Sequence, residues 1–414
     1  MTDTTGAPAG ADRNACALRS PRAATLAAVA TAFGISRIAF YASAALGLAI
    51  LPPALEPARV EVGGPAALAL HWRWDAVYYY HIAVEGYPWL GLTAFFPVLP
   101  VLLWLGATGL GGLQPPSPLP IADASPAALI AGVLVAHAAT LLALWLLYRL
   151  AEHETQDPKV AARATRYAAV FPLAFISNTP HTEATFLAVS VGAFLAARRG
   201  RWISAGLWAA VASATRPLGV LVAPALMVEL IAAYRRRQPS RRELFRAAVG
   251  VALSPIGLLG YMAYLWQRYG DPLAFVHVHE TEWHHDRLLP IQTLYRGIRF
   301  ALHPDWSNTP AIWAVGVVHL VVVLAFGLIL LASWRSWPAS YLVYGALLFT
   351  MVLSMPLPGA WTMHSMGRYV MVLFPVYLSL GKWGHRPFVH HAILGVCLPL
   401  FGLFSALHTN WYPT

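Results

Sequence analysis

Long hydrophobic runs separated by short polar segments are the dominant pattern of this chain of 414 residues. Apolar runs of about 17–25 residues are long enough to cross a bilayer as helices. The runs lie near residues 24–50, 126–149, 159–177, 183–198, 202–215, 217–234, 245–266, 311–333, 339–354, 367–381 and 388–407. They predict an all-α, polytopic bundle of about eleven transmembrane helices, since backbone groups inside lipid must be satisfied within the helix.

A further apolar stretch at 94–112 begins near the sequence FFPVLP, whose two prolines interrupt a regular helix. Counting this stretch as a span would break the alternation of charge in the segments that follow it. We therefore interpret it as a re-entrant or membrane-lying helix within the loop 51–125.

Composition agrees with a membrane protein, because 58% of the residues are hydrophobic and only 11% are charged. A soluble domain has about 25% charged residues. Of the 28 lysines and arginines, 19 lie on the side of the N-terminus, eight on the opposite side and Arg37 inside the first span. The net charge of +10 therefore follows membrane topology and gives no reason to expect nucleic acid as a partner.

The positive-inside rule places the basic side in the cytoplasm. Residues 1–23 are expected to be a disordered cytoplasmic N-terminus, and 24–414 a single domain embedded in the plasma membrane and its lipids. The opposite, extracytoplasmic face carries the long loops 51–125 and 267–310. Loops of this length in a compact protein are usually functional, so we expect the active site there.

The segment 71–100 places one carboxylate, Asp75, among Trp72, Trp74, Tyr78 and Tyr79. A charged group in contact with lipid is costly, so Asp75 is expected to face a cavity or water. A carboxylate beside a hydroxyl acceptor is what a general base requires, and aromatic rings suit a sugar. The alternative is an interfacial aromatic belt with one solvated acid.

The motif SNTPHTE at 177–183 offers two further polar side chains between predicted spans. His181 and Glu183 are candidates for binding sugar hydroxyls. The alternative is helix capping, with Thr182 as the cap and Glu183 stabilising the helix N-terminus through its dipole.

Two arginines lie at the external ends of spans. Arg216 in ATRPLG and Arg368 in GRYV are candidates for a phosphate, whose oxygens a guanidinium binds in pairs. Tyr369 adjoins the second arginine, and His364, a further candidate for binding the sugar, precedes it by four residues. Each arginine has an alternative role as an interfacial anchor whose charge reaches water.

The loop HVHETEWHHDR at 277–287 is rich in histidine and acid, which makes a divalent metal possible. His279, Glu280 and His284 are the candidate ligands. However, the loop lacks the fixed two-ligand spacing of motifs such as HExxH. Arg37, midway along the first span, requires an acidic, phosphate or water partner within the bundle.

An ordered set of motifs resembles the PIG-V mannosyltransferases, the GPI mannosyltransferase 2 family and its bacterial relatives. The motifs are HWRWD, IAVEGY, AFFPVLP, SNTPHTEATF, TRPLG and GRYV. The resemblance runs from about residue 35 to 380, and the order of the set is more specific than any single motif.

The resemblance implies a GT-C type glycosyltransferase. Such an enzyme transfers a sugar from a polyprenyl-phosphate donor to a lipid or protein acceptor on the non-cytoplasmic side. It also implies that Asp75 is the catalytic acid of the W-D motif, that Glu183 is a second motif acid, and that Arg216, Arg368 and Tyr369 belong to the donor site. One base and a phosphate leaving group are sufficient for inversion by direct displacement, with no required cofactor.

Two departures from the family pattern concern the substrate. His181 stands where the family more often has tyrosine. In the loop after DPLAF, Trp283 matches the expected tryptophan, a further sugar-binding candidate, whereas the expected glutamine is missing. The sugar (mannose, glucose or arabinose) and the acceptor stay open at this point.

Two other classes of protein fit parts of the pattern: a transporter or flippase of a lipid-linked substrate, and a non-catalytic subunit of a mannosyltransferase complex. A transporter would need polar groups near the bilayer midplane. Convergence of Asp75, Arg216 and Arg368 on one cavity would favour the enzyme.

Overall fold

A computed structural model describes residues 21–54, 65–111, 125–237, 240–304 and 310–414. These ranges contain helices and connecting loops, without a strand. The α-helices are α1 (Pro21–Ile50), α2 (Ala66–Ala69), α3 (Asp75–Glu85), α4 (Val98–Gly109), α5 (Pro126–Thr155), α6 (Pro158–Ala169), α7 (Thr182–Arg198), α8 (Trp202–Thr215), α9 (Val222–Arg237), α10 (Arg241–Leu253), α11 (Ile256–Tyr269), α12 (Ala274–Thr281), α13 (Pro290–Leu302), α14 (Pro310–Ala332), α15 (Ala339–Leu353), α16 (Met366–Val370), α17 (Phe374–Trp383) and α18 (Pro387–Thr409). Short 3₁₀ segments lie at Leu90–Ala94, Pro172–Asn178, Pro217–Leu221 and Gly359–Trp361.

Six helical segments within the described ranges are long and apolar enough to cross a bilayer. They are Arg22–Ile50, Pro126–Thr155, Pro217–Arg236, Arg241–Tyr269, Pro310–Ala332 and Pro387–Thr409, and each overlaps a predicted span. The protein is therefore a multi-pass membrane protein. The other predicted spans correspond to shorter helices, so the total of about eleven stays a prediction.

Two predicted spans, 159–177 and 367–381, are not continuous helices, and that part of the prediction is wrong. Helix α6 ends at Ala169 and is followed by a 3₁₀ segment that begins at Pro172. Helices α16 and α17 are separated by a bend, and α17 has Pro375 in its first turn. Proline has no N–H to donate to the preceding turn, so the helix stops before it.

Other boundaries also differ from expectation or lie outside the described residues. Helix α1 begins at Pro21, three residues earlier than predicted. The remainder of the predicted N-terminal segment, 1–20, lies outside the described residues, as do 55–64 and 112–124 of the first loop and 305–309 of the second. The stretch predicted to be re-entrant or membrane-lying forms α4, whose 12 residues extend for only about 18 Å and do not span a bilayer.

The segment that carries α3 packs into a small hydrophobic core that is separate from the main core. The small core joins α3 and α4 with the start of α5, with α11 and with α12. Tyrosine hydroxyls tie its loops: Tyr87 donates to Phe95 O at 2.7 Å, Tyr269 to Tyr87 O at 2.6 Å and Tyr261 to Thr93 O at 2.9 Å. These bonds satisfy buried carbonyls and so fix the first loop against α11.

Helix α8 lies unusually close to α10 and α11. A Cβ at Gly206 would collide with the backbone of Gly250, and a Cβ at Gly257 would collide with the carbonyl oxygen of Ala210. Small residues permit this approach between membrane helices. The close packing determines the position of the end of α8.

Arg37 finds a different kind of partner from the one expected. Its Nη2 donates to Ser177 O at 2.7 Å and to Thr140 Oγ1 at 3.1 Å. No carboxylate of the described residues forms an ion pair with Arg37, and a carbonyl and a hydroxyl provide these acceptors instead. Arg37 thereby connects α1 and α5 to the 3₁₀ segment that precedes His181.

Candidate active site

Three side chains that are far apart in the sequence meet at one cavity. Asp75 is the first residue of α3, Arg216 follows the end of α8, and Arg368 lies in α16. All three line a cavity of about 190 Å³. This convergence favours an enzyme over a non-catalytic subunit, in which the three side chains would be dispersed.

These residues form a continuous ionic network through Glu183. Arg368 Nη2 donates to Asp75 Oδ2 at 2.6 Å, and its Nε lies 3.1 Å from Glu183 Oε1. Arg216 Nη2 donates to the same Glu183 oxygen at 2.6 Å. Two carboxylates and two guanidinium groups balance, so the network has no net charge while Asp75 is ionised.

Glu183 lies behind the cavity wall. Its side chain is completely buried, whereas that of Asp75 is 30% exposed. Glu183 forms ion pairs with both Arg216 and Arg368. Because breaking a buried ion pair is strongly destabilising, these pairs hold the two arginines in place. The position of Glu183 in the first turn of α7 is also favourable for the helix dipole.

Thr182 contributes to the same support. It was a predicted helix cap, but α7 begins at Thr182 itself and its hydroxyl accepts a hydrogen bond from Arg216 Nε at 2.6 Å. The hydroxyl of Tyr79 lies 3.4 Å from the same oxygen. Arg216 is thus oriented by two residues of α7, and its Nη1 is buried without a hydrogen-bond partner among the described residues.

Unusual backbone conformations lie next to the network. Trp74, immediately before Asp75, has a φ of 54°, and Ser365, three residues before Arg368, has a φ of 61°. Left-handed conformations of non-glycine residues are strained and cluster at functional sites. The ring of Trp74 packs against Trp411, with centroids 5.8 Å apart, which helps to hold this turn.

Aromatic side chains complete the cavity wall. Tyr79, Phe95, Trp283 and Tyr369 all line it. The guanidinium carbons of Arg216 and Arg368 lie 5.4 and 5.3 Å from the ring centroid of Tyr369, within the range of cation–π attraction. Tyr369 therefore supports both arginines in addition to bordering the cavity.

Several predicted sugar-binding residues lie outside the cavity wall: Trp72, Trp74, Tyr78, His181, Glu183 and His364. Trp72 is completely buried against Tyr80, and Tyr78 packs on Phe95 and Trp283. These positions are suited to supporting the wall, and direct contact with a sugar stays a prediction.

Two of these residues are histidines that burial keeps neutral. His181 accepts or donates through Nδ1 at 2.8 Å from Thr179 Oγ1, and His364 packs against Trp361. Burial lowers the pKa of each to about 4. Neither imidazole therefore adds charge near Arg368 at physiological pH.

The suggested metal ligands do not gather into a metal site. Glu280 forms an ion pair with Arg287, and His279 lines the cavity beside His285. Across the described ranges, no three His, Cys, Asp or Glu side chains are placed to hold an ion. The sequence analysis did not identify His285 as a residue of the cavity wall, because the only indication in the sequence was the pair of histidines after Trp283.

The site thus combines one accessible carboxylate, two arginines and an aromatic wall in an all-helical membrane protein. The chain belongs to the family described as mannosyltransferase (PIG-V), whose model matches residues 38–332. Membership does not favour the transporter alternative. No curated protein matches the chain.

Two solved structures to which the chain is similar belong to longer proteins. One is the oligosaccharyltransferase of Archaeoglobus fulgidus in its apo form, with 14% identity, 94% of this chain and 56% of that chain covered, and a TM-score of 0.49. Another is ArnT from Cupriavidus metallidurans bound to undecaprenyl phosphate, with 12% identity, 89% and 62% covered, and a TM-score of 0.49. The chain therefore spans roughly three fifths of the length of these two proteins.

Proposed function

We propose that the protein is an inverting glycosyltransferase that moves mannose from a polyprenyl-phosphate donor to a hydroxyl of a lipid or protein acceptor. The observation that carries this proposal is the convergence of Asp75, Arg216 and Arg368 on one cavity. Membership of the PIG-V family supports mannose as the sugar. The distribution of basic residues supports a cytoplasmic N-terminus and an extracytoplasmic cavity.

The two arginines are suited to the leaving group. A polyprenyl-phosphate sugar is a phosphodiester with one negative charge, and its phosphate gains a second charge as the glycosidic bond breaks. Arg216 and Arg368 are held by Glu183 before the reaction, so they need little reorganisation to stabilise that charge. Binding energy is thus greater in the transition state than in the ground state.

Asp75 is suited to the role of general base. In this structure it accepts a hydrogen bond from Arg368. A donor phosphate that takes over this guanidinium frees the Asp75 carboxylate to accept the proton of the acceptor hydroxyl. The acceptor oxygen then bonds to the anomeric carbon as the phosphate leaves with the electron pair, which inverts the configuration.

The buried position of Glu183 argues against a double-displacement mechanism through this residue. A retaining enzyme needs a second carboxylate that reaches the anomeric carbon as a nucleophile. Glu183 is fully buried and is paired with both arginines, so it does not reach the cavity. The arrangement therefore favours single displacement.

The decisive test is the transfer of radiolabelled mannose from synthetic polyprenyl-phosphate mannose, measured with purified Asp75→Asn protein and lipid and protein acceptors. We expect transfer to fall by about 100-fold or more, since loss of a general base costs at least that much. Glu85→Gln is the matched control, because it removes a carboxylate from the other end of α3. An Asp75→Asn protein that keeps more than about a tenth of the activity would contradict the role of Asp75.

A further inference from the structure

The cavity has a neutral polar wall in addition to its ionic network. His279, near the end of α12, and His285, in the loop that follows, both line the cavity with Asp75. Their rings are 5.1 Å apart and nearly perpendicular, and His285 N donates to His279 O at 2.7 Å. The donor-phosphate site proposed above uses neither histidine.

Each histidine has a ring nitrogen that forms no hydrogen bond with the described residues. His285 Nδ1 lies 2.8 Å from Met355 O, and a carbonyl only accepts, so Nδ1 carries the proton and Nε2 is left as an acceptor. His279 Nδ1 is buried and has no hydrogen-bond partner among the described residues. A buried polar atom without a partner is costly, which a bound hydroxyl would relieve.

Burial also keeps the two imidazoles neutral. It lowers the pKa of His279 to about 4, with His285 as a smaller cause, and it lowers the pKa of His285 as well. A neutral imidazole both donates and accepts hydrogen bonds, as does a sugar hydroxyl. A phosphate, in contrast, is drawn to the charged arginines.

The backbone reinforces the placement of His285. His284 has a positive φ of 54°, as do Trp74 before Asp75 and Ser365 before Arg368. Of the five non-glycine residues with positive φ in the described chain, Trp74, His284 and Ser365 precede cavity residues. Strained residues persist where the surrounding structure holds them for a function.

An aromatic face adjoins the two histidines. Trp283 lines the same cavity, and its Nε1 donates to Gly91 O at 3.0 Å, which fixes the plane of the ring. The edge contacts with Tyr78 and Phe95, at 5.4 and 5.5 Å between centroids, fix it further. A fixed apolar ring beside a few neutral polar atoms matches the chemistry of a sugar ring and its hydroxyls.

We propose that His279 and His285 recognise hydroxyl groups of the sugar that the donor carries and so determine which sugar is transferred. This inference rests on the proposed function and assigns the sugar half of the same site. In this arrangement the arginines bind the phosphate of the donor, and the histidines bind the hydroxyl groups of its sugar.

The test compares polyprenyl-phosphate mannose with bare polyprenyl phosphate, which lacks the sugar and carries a second negative charge on its phosphate; each variant is compared with the wild type for the same ligand, so this difference in charge cancels. The affinities of the two ligands are measured by titration calorimetry in detergent for the full chain and for His279→Leu and His285→Leu. We expect each variant to lose about fivefold to tenfold in affinity for the mannose donor, as for a lost neutral hydrogen bond, and to bind bare polyprenyl phosphate unchanged. His277→Leu is the matched control, because His277 is an exposed residue of α12 that pairs with Asp271 outside the cavity.

The outcomes separate this inference from the proposed function. Equal loss for both ligands, or no loss for either, in the two variants would overturn the sugar assignment alone. A wild-type protein that binds neither ligand would overturn the proposed function and this inference with it. As a second readout, the preference for a mannose over a glucose donor should fall in His279→Leu.

Discussion

At the scale of single residues, Glu183 is the side chain on which the charge balance of the cavity depends. Without its carboxylate, Arg216 and Arg368 would be two buried guanidinium groups with Asp75 as their sole acidic partner in the network. Like charges held close in a poorly solvated site repel strongly. Glu183 therefore allows two cations to face one phosphate.

Replacing Glu183 by the isosteric glutamine should destabilise the fold far more than Asp75→Asn does. Removing one partner of a buried ion pair costs about 3–5 kcal/mol, whereas Asp75 is partly exposed and water compensates for its loss. Thermal unfolding in detergent would measure both variants, and donor titration should also show weaker binding for Glu183→Gln. Equal melting temperatures for wild type and Glu183→Gln would contradict this account.

At the scale of elements, the position of α8 determines where Arg216 points. The helix contacts α10 and α11 through glycines, and Arg216 follows its last turn directly. The α8 backbone cannot move outward without losing these close contacts. The proposed donor-phosphate site thus depends on helix packing at Gly206 and Gly257, although neither glycine lines the cavity.

Gly257→Ala should therefore weaken both the fold and the donor site. The added methyl would collide with Ala210 O and approach Ala214 Cβ, and overpacking of this kind costs about 1–3 kcal/mol. The matched control is Gly260→Ala on the same helix, where a Cβ meets nothing within 4 Å. Unfolding temperature and donor affinity, measured for both variants, should fall only for Gly257→Ala.

At the scale of the whole molecule, α7 connects two ionic networks. Its first turn carries Glu183 of the cavity, and its last residue, Arg198, pairs with Glu154 at 2.7 Å and with Glu229 at 2.8 Å. The 17 residues of α7 extend for about 25 Å, close to the thickness of the hydrocarbon core. We therefore expect the two networks to lie at opposite membrane boundaries.

This arrangement predicts the topology. His277→Cys beside the cavity and Arg201→Cys just after α7 both introduce an exposed thiol. In a background that lacks Cys16 and Cys397, a membrane-impermeant thiol reagent applied to intact cells should label only the first. Labelling of the second in intact cells, or of neither after lysis, would contradict the proposed orientation or the exposure of these sites.

The sequence by itself determined the helical membrane architecture and identified three residues of the candidate site. Hydrophobic runs predict spans without any knowledge of their neighbours, because lipid imposes the same requirement on every segment. That is why α7 and α8 end at or within one residue of the predicted bounds. Asp75, Arg216 and Arg368 were also identifiable, since a charge at the end of an apolar run is exceptional.

Only the tertiary structure decided which polar groups meet. Glu183 behind the arginines, His285 in the cavity wall and Ser177 as the partner of Arg37 are contacts between segments far apart in the sequence. The direction of each side chain depends on strained turns such as that at Trp74 and on how closely distant helices approach. Neither the directions of the side chains nor the distances between helices follow from hydropathy and charge along the chain, because both arise when the helices pack.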